Sequence, residues 1–496
     1  MSPTSGYPAV VSVQSRECSP ELMERLSGAT LFPERPSGAA VVSVVRRGGG
    51  SLFLITAPPL VDADDQVDYF LRLLPEEHEG EVAACRERVV VDGVDDRSSR
   101  WLSDKLLDPV NADAAGLRAR LAEFVDRERG AGARVSLSCF EPSENLERLG
   151  AQLDVPVDQA ASRFIPLGTK ASSRALFDAA GVPVLPGTGE CRTLDELADG
   201  IAGLLERGVT RFVLKLSSTE YGAGMGNAVL RLDGARGRAD VLAALSGAEL
   251  VDGKLTWEQF AGAVGRSGIL AEQLLEDADL RSPSFQGRIE GEEVRAVSTH
   301  DQVLGAMGQT YVGSSFPADG AYREDVVALG LRVGEQLVAR GVRGGDYGVD
   351  FLTVREAGGW RSYGCELNLR ATGTKHGFVM ATSLLGVLPD PSGRLVVDGG
   401  ERVYQASDGI TDPSLVGLRP GRLIAAVRES PLHYDPATGT GAVLHMLSPL
   451  VEYGKFGAVC IAEDQPTAKR MMVRLKELAV EVGVRESSVD GACVGR

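Results

Sequence analysis

Residues 348–354 read GVDFLTV, residues 356–359 read EAGG and residues 363–370 read YGCELNLR, and this stretch carries the sharpest pattern in the sequence. Apolar and polar residues alternate on both sides of a glycine-containing turn, which predicts a two-stranded antiparallel hairpin. The alternation divides the returning strand into an apolar and a polar face, with Cys365, Leu367 and Leu369 on the first and Glu366, Asn368 and Arg370 on the second.

Two carboxylates are expected to face each other across this hairpin. If the hairpin is symmetric about Gly358, Asp350 lies opposite Glu366. Carboxylates directly across an antiparallel pair repel and destabilise it. A divalent cation reverses the sign of that interaction, and the oxygens of Asp, Glu and Asn suit Mg²⁺. Asp350, Glu366 and Asn368 are therefore candidate magnesium ligands, and the other interpretation is a hairpin with a polar, solvated face.

A glycine-rich loop is the second feature, and a strand with a lysine precedes it. Residues 211–216 read RFVLKL, residues 217–227 read SSTEYGAGMGN, and a second strand is expected at 228–232. Glycines in such a loop let backbone N–H groups approach phosphate oxygens. The loop lacks the ending of a Walker A motif, and a strand follows where a dinucleotide-binding loop needs a helix. It is either a flap over a triphosphate or a mobile hairpin loop without a ligand.

Two shorter segments complete the candidate site. Residues 168–177 read GTKASSRALF and predict a helix with Lys170 at its start, where free N–H groups suit an anion. Residues 269–276 read ILAEQLLE and predict a strand running into a polar edge. By itself, this second segment favours an ordinary exposed strand end.

Composition and charge argue against several classes of protein. The length of 496 residues suggests about three domains. Asp and Glu number 69 against 52 Lys and Arg, and the net charge of −17 argues against a nucleic acid or an anionic membrane as partner. Seven scattered cysteines without a CxxC pair, no secretory signal and no membrane-spanning run predict a cytoplasmic protein with reduced thiols. None of the five histidines forms an HxxxH or HExxH pattern, so a histidine-ligated zinc site is not predicted.

Changes in pattern divide the chain into three expected domains. Residues 1–165 alternate strands and helices, which predicts an α/β domain with a parallel sheet. Residues 166–390 contain all the motifs above, and residues 391–496 begin with a Pro- and Gly-rich stretch and predict a small α+β domain. Strands outside the motifs are expected at 39–45, 52–56, 133–137, 423–427, 442–447 and 457–461, and a final helix at 467–482.

In this order and spacing, the motifs at Lys170, Lys215, 271–274, Asp350 and 366–370 resemble those of the ATP-grasp superfamily of carboxylate–amine ligases. In detail the chain is similar to the peptide ligases of the type found in pheganomycin biosynthesis. The resemblance implies an α/β fold: an N-terminal pre-ATP-grasp sheet domain, a two-lobed ATP-grasp core that binds nucleotide and Mg²⁺, and a small α+β C-terminal cap.

The resemblance also implies a role for each phosphate-binding and metal-binding motif. Lys170 and Lys215 would hold the phosphates of ATP, and Asp350, Glu366 and Asn368 would bind Mg²⁺. The flap that closes over the phosphates would consist of Tyr221, Gly222, Ala223, Gly224, Met225, Gly226 and Asn227.

The nucleoside and the acyl substrate have implied partners as well. The adenine would be lined by Glu272, Gln273 and Leu274, with Glu272 accepting from the exocyclic amine. The ribose would be bound by Glu276 or Asp279. Arg370 would meet the acyl substrate or the transferring phosphoryl group. A further cation would come from Arg288 or Arg295, and Arg295 is preferred.

The implied reaction joins the carboxylate of an amino-acid-like small molecule to an amine through an acyl phosphate, with release of ADP and phosphate. The narrower similarity implies an unusual amino acid as acyl donor and a peptide amine as acceptor, in the biosynthesis of an antibiotic or related natural product. A homodimer is compatible with it. One alternative is another ATP-grasp chemistry, such as thiol ligation or carboxylation, although no biotin-attachment motif occurs. The other is a nucleotide-binding regulatory protein, which would not need both lysines and all three metal ligands.

Overall fold

The computed structural model describes residues 7–46, 50–74, 79–219, 224, 226–305, 308 and 310–493. The strands are β1 Pro8–Val13, β2 Ser51–Thr56, β3 Val89–Gly93, β4 Arg134–Ser138, β5 Arg211–Leu216, β6 Asn227–Arg231, β7 Glu249–Leu250, β8 Ile269–Gln273, β9 Pro283–Glu290, β10 Glu293–Leu304, β11 Tyr311–Phe316, β12 Gly344–Glu356, β13 Gly359–Asn368, β14 Leu395–Val397, β15 Gly400–Thr411, β16 Gly441–His445 and β17 Lys455–Ala462.

The helices alternate with these strands through most of the chain. They are α1 Pro20–Met23, α2 Arg35–Arg46, α3 Ala63–Leu71, α4 Glu79–Glu87, α5 Leu102–Leu107, α6 Ala112–Gly130, α7 Glu144–Leu153, α8 Lys170–Ala179, α9 Leu194–Leu205, α10 Arg238–Leu245, α11 Trp257–Ser267, α12 Arg323–Ala339, α13 Lys375–Leu385, α14 Pro420–Arg428, α15 Pro449–Tyr453 and α16 Gln465–Cys493. In the described part of the chain, no helix has both the length and the apolar character needed to cross a bilayer.

The chain divides into two compact units. Unit 1 comprises residues 1–162, 313–317 and 371–496, and unit 2 comprises residues 163–312 and 318–370. The three-domain division at residues 165 and 390 stays a prediction.

The N-terminal sheet of unit 1 is parallel, with the strand order β3-β2-β1-β4. In the register of this sheet, Val11 lies beside Phe53 on one side and Leu137 on the other, and all three side chains are buried. This sheet confirms the α/β fold class. Strand β1 was not predicted from the sequence, although β2 and β4 both pair with it.

Two expected strands of unit 1 are helices instead, which corrects the sequence-based prediction. Residues 39–45 lie in α2 and residues 423–427 lie in α14. In α14 the buried residues Leu423, Ile424 and Val427 have the spacing of one helix face. Short apolar runs alone do not distinguish a helix from a strand. The proline in the first turn of each of these helices is a helix-start signal, and here it outweighs the β-branched composition.

The C-terminal part of unit 1 contains an antiparallel sheet. β15 pairs with residues 313–316 of β11 on one side and with β17 on the other, and β17 also pairs with β16. The strands expected at 442–447 and 457–461 correspond to β16 and β17, and the expected final helix corresponds to α16.

Unit 2 contains two antiparallel groups of strands, one ordered β7-β6-β5-β8 and the other β13-β12-β9-β10. Helix α12 packs closely against the second group through glycines. A Cβ atom on Gly330 would lie 2.3 Å from the ring of Phe285, and the Tyr347 hydroxyl donates to the Gly330 carbonyl at 3.0 Å. This packing positions β9 and β12, which carry the polar groups described next.

Candidate functional site

The β12–β13 hairpin places Asp350 directly opposite Glu366, as predicted, but for a different reason. The strands close at the pair Glu356 and Gly359, so the turn is not centred on Gly358. A register shift follows Asp350, since the next residue, Phe351, pairs with Gly364. Cys365 is therefore an extra residue in β13, and this bulge restores the predicted pair.

The same bulge corrects the expected position of Cys365. Its Sγ atom lies 3.3 Å from Nζ of Lys215. Burial raises the pKa of its thiol most, and the nearby carboxylates add to this rise, namely those of Glu272, Glu366 and Asp350. Cys365 therefore belongs to the polar group rather than to the opposite, apolar face.

Asp350 is surrounded by amide donors. Nε2 of Gln302 donates to its Oδ1 at 2.6 Å, and Nδ2 of Asn368 donates to its Oδ2 at 3.2 Å. Burial raises the pKa of Asp350 to about 7, the charge of Glu366 adds to this rise, and a hydrogen bond from Ser284 opposes it. A raised pKa is the expected response of a desolvated carboxyl that faces a second one.

Glu366 is held by lysine. Nζ of Lys170 donates to its Oε1 at 2.9 Å, and both side chains are largely buried. Burial acts to raise the pKa of Glu366, but the charges of Lys170, Lys215 and Arg370 outweigh it and lower the pKa. The positive charge of Arg370 acts on Asp350 in the same direction. Arg370 therefore lies close to both carboxylates, as the alternation predicted.

A second buried ion-pair group joins β5 to β8. Nζ of Lys215 donates to Oε2 of Glu272 at 2.5 Å, and Nη1 of Arg174 donates to Oε1 of the same carboxylate at 2.6 Å. Burial acts to lower the pKa of Lys215, but Cys365 and Glu272 together raise it. Both oxygens of Glu272 are therefore bound to cations, and the role expected for it at an adenine amine stays a prediction.

The start of α8 is fixed to the end of β5. Thr169 caps the helix by accepting from the Ser172 N–H at 3.2 Å. The backbone N–H of Lys170 donates to the Ser217 carbonyl at 2.9 Å, and the N–H of Ala171 donates to the Ser217 hydroxyl at 3.3 Å. Since Ser217 directly follows β5, these bonds bring Lys170 and Lys215 to the same acidic group.

The glycine-rich loop joins β5 to β6, as expected. Tyr221, Gly222, Ala223 and Met225 lie outside the described residues. Gly224 has a φ of +81°, and its carbonyl accepts from the Asn227 N–H at 3.0 Å. The Gly226 carbonyl accepts from the Leu216 N–H at 2.9 Å, and Asn227 pairs with Lys215.

The residues predicted to contact the adenine and the ribose have partners within the protein. The N–H groups of Gln273 and Leu274 donate to the carbonyls of Pro186 and Arg211 at 2.8 and 2.9 Å. Glu276 pairs with Arg211 and Arg231 at the surface. The roles of these residues stay predictions.

The fold does not place Arg295 beside Asp350 and Glu366. It is exposed and pairs with Glu293 at 2.7 Å, and its strand partner is Arg288. Arg288 in turn pairs with Asp346 at 2.9 Å, four residues before Asp350 on β12. The residue of β10 in line with Asp350 is His300, which pairs with Ser284.

Comparison with known proteins assigns the family. The chain is 30% identical over 430 residues to the L-propargylglycine–L-glutamate ligase of Streptantibioticus cattleyicolor, covering 86% of this chain and 84% of the relative. The chain belongs to this family of ATP-grasp ligases. Residues 422–475 of the ligase match the family described as the PGM1 C-terminal domain.

Solved structures show the same fold at low identity. N5-carboxyaminoimidazole ribonucleotide synthetase in complex with ADP matches with a TM-score of 0.52 and 13% identity, over 95% of this chain and 96% of that one. Biotin carboxylase from Campylobacter jejuni matches with a TM-score of 0.53 and 13% identity, over 95% and 94% of the two chains. These likenesses support the α/β fold of an ATP-grasp enzyme.

Several residues of the ligase site were missed in the sequence. Arg174 follows Lys170 by four residues, so helical spacing alone could have indicated it. Ser284, Gln302 and Cys365 carried no such signal, because their positions depend on how β9 and β10 pair and on one bulge.

The assembled group has an excess of positive charge. Lys170, Lys215, Arg174 and Arg370 supply four cations, and Glu272, Asp350 and Glu366 supply three carboxylates. Because Asp350 is near half-protonated at neutral pH, the effective excess is larger. Such a group is suited to bind an anion, and the facing carboxylates are suited to bind a cation beside it.

Without nucleotide, Asp350 is expected to make the ligase less stable as the pH rises from about 4 to about 7. Its pKa of about 7 in the folded protein lies above the ordinary 3.8, so the folded state holds a proton that the unfolded chain releases. This contribution to the free energy of unfolding is complete below the ordinary pKa and is lost as the pH passes the folded-state pKa. A shift of roughly three pH units corresponds to about 4 kcal/mol at most.

Urea denaturation of wild type and Asp350→Asn, without ATP and Mg²⁺, measures this effect. Between about pH 4 and about pH 8, the unfolding free energy of Asp350→Asn should rise by a few kcal/mol relative to that of wild type. Identical pH dependences for the two proteins would rule out the raised pKa.

Proposed function

We propose that the ligase forms an amide bond between the carboxyl group of an amino-acid-like molecule and an amine, with ATP as the driving reagent. The observation that supports this most is the facing pair of half-buried carboxylates, Asp350 and Glu366, beside two buried lysines. A regulatory nucleotide-binding protein has no use for this arrangement of facing carboxylates and phosphate-binding cations.

The two lysines are suited to hold the phosphates of ATP. Nζ of Lys170 and Nζ of Lys215 are both buried and both contact carboxylates of the site. A triphosphate would take over these ammonium groups as its charge partners. Positioning and charge neutralisation supply most of the catalysis in phosphoryl transfer.

Asp350, Glu366 and Asn368 fit Mg²⁺. Two facing half-buried carboxylates and an amide oxygen form a hard-oxygen donor set. Desolvation is the main cause of the raised pKa of Asp350, and the charge of Glu366 adds a repulsion that a divalent cation would remove. The amide of Asn368 now donates to Asp350, so it would turn by half a rotation to present its oxygen. When bound, Mg²⁺ would neutralise the charge of the phosphates.

Arg370 is suited to orient the acyl substrate. Its charge lowers the pKa of both Asp350 and Glu366, so its guanidinium lies near both carboxylates. A planar guanidinium binds a carboxylate with two hydrogen bonds and can stabilise the oxyanion that forms when the amine attacks.

The reaction is expected to pass through an acyl phosphate. A carboxylate oxygen attacks the γ-phosphorus of ATP, ADP leaves, and the amine then displaces phosphate from the acyl carbon. The relative in Streptantibioticus cattleyicolor is named for two amino acids, propargylglycine and glutamate. We infer that the acyl donor here is an unusual amino acid and that the acceptor is the amine of an amino acid or a peptide, in natural-product biosynthesis.

The proposal is tested by the products. With ATP, Mg²⁺ and a panel of amino acids, the ligase should release ADP and phosphate, and hydroxylamine in place of the amine should trap a hydroxamate of the acyl donor. Asp350→Asn serves as the inactive control. Release of AMP and pyrophosphate would indicate an adenylate and overturn the proposal, and turnover that depends on bicarbonate instead of an amine would indicate a carboxylase.

A further inference from the structure

A second polar group is buried in unit 1, and the proposed reaction does not use it. It consists of His376 on α13, Asp408 on β15 and His445 on β16. One ligand atom from each residue lies within 4.8 Å of the others, and all three residues are buried. The three elements are separated in sequence and meet only through the fold.

The spacing of these atoms is that of metal ligands. Nε2 of His376 lies 3.1 Å and Nε2 of His445 lies 3.8 Å from the same oxygen, Oδ1 of Asp408. Two ligand atoms about 2.0–2.1 Å from a tetrahedral Zn²⁺ lie about 3.3 Å apart, between these two distances. The imidazole rings have centroids 4.6 Å apart and planes inclined by 66°, so they do not stack face to face.

One ring nitrogen of the group, Nδ1 of His376, has no hydrogen-bond partner among the described residues, although the residue is buried. Buried imidazole nitrogens normally have a partner, so this group calls for a ligand or an ion.

The surroundings favour a cation bound through Oδ1. Nη1 of Arg35 binds the other oxygen, Oδ2, at 3.0 Å, as the outer partners of metal-binding carboxylates commonly do. Gly457 lies against the His445 ring, where a Cβ atom would be 2.1 Å from it. Lys455 also lies near Asp408, and burial lowers the pKa of this lysine.

We propose that His376, Asp408 and His445 form a binding site for a divalent transition-metal ion such as Zn²⁺, separate from the proposed Mg²⁺ site. Two imidazoles and one carboxylate are a donor set that such ions prefer, whereas Mg²⁺ prefers oxygen ligands. The ion would tie α13, β15 and β16 together and so stabilise unit 1. Its role is structural, because none of the proposed reaction steps involves these residues.

Zinc titration of the full-length protein tests the proposal. After dialysis against a chelator, without ATP and Mg²⁺, calorimetry with ZnCl₂ should show one tight site. His445→Ala and the more conservative His376→Gln should each weaken that site by about 100-fold or more. Excess Zn²⁺ should raise the melting temperature of wild type by a few degrees and of neither variant. Co²⁺ should give the visible absorption of nitrogen-ligated cobalt in wild type alone.

Matched controls separate this site from other metal-binding groups. His433→Ala removes a half-buried histidine of the same unit and should bind Zn²⁺ like wild type. Asp350→Asn should also retain the site while losing ligase activity, so the outcome does not depend on the proposed reaction. Absence of tight Zn²⁺ binding by folded wild type, or unchanged binding by His376→Gln, would overturn the proposal and leave the three residues as a packed polar cluster.

Discussion

Replacing Glu366 by Gln should lower turnover by about 10³-fold and also destabilise the protein. The variant loses one of the two facing carboxylates, so the site can no longer offset the charge of Mg²⁺ and the phosphates. It also leaves Nζ of Lys170, now 2.9 Å from Glu366, without its carboxylate in a largely buried position. Breaking a buried ion pair on one side costs about 3–5 kcal/mol. Steady-state ADP release and urea denaturation measure the two effects.

Asp350→Asn is the informative comparison, because its expected effect on stability has the opposite sign. Activity should fall by a similar factor, but the unfolding free energy near neutral pH should stay level or rise, since a repelling carboxyl with a raised pKa is removed. Glu293→Gln is the control, since Glu293 is exposed and pairs only at the surface with Arg295. It should change neither activity nor stability measurably. An active Glu366→Gln protein would remove the basis for the metal assignment.

Lys215→Met should give the second large effect. The methionine retains the length of the side chain but removes the ammonium that binds Oε2 of Glu272. Activity with ATP should fall by about 10²–10³-fold, because a phosphate partner is lost. Stability should fall by about 3 kcal/mol, because Glu272 is buried and retains only Arg174. Lys254→Met, at an exposed lysine of the same unit, is the control.

A double variant separates the two roles of Lys215. In Lys215→Met with Glu272→Gln, the uncompensated carboxylate is gone, so most of the lost stability should return while activity stays low. The coupling between the two substitutions is measured by a double-mutant cycle of unfolding free energies. Recovery of activity in the double variant would show that Lys215 matters only as the partner of Glu272.

The motifs of unit 2 could be predicted because each combines local periodicity with an unusual residue. A lysine in an apolar strand, a lysine at a helix start and acidic residues in a hairpin are visible at short range, and Lys170, Lys215, Asp350 and Glu366 all lie in one group. Short apolar runs were less informative. Residues 423–427, which lie in helix α14, were predicted as a strand, because buried helices and buried strands favour the same apolar residues.

Residue type and near-neighbour spacing are enough to predict the α/β class, the hairpin and the two lysines. Features that depend on distant pairing appear only in the folded chain, and they include the pairing of Asp350 with Glu366, which requires the bulge at Cys365. The bulge at Cys365, the amide of Gln302 on Asp350, and the separation of Arg295 from the site follow from strand register, which no local pattern encodes. The same holds for His376, Asp408 and His445: their spacing matches no metal motif, and only the packing of three remote elements brings them within 4.8 Å.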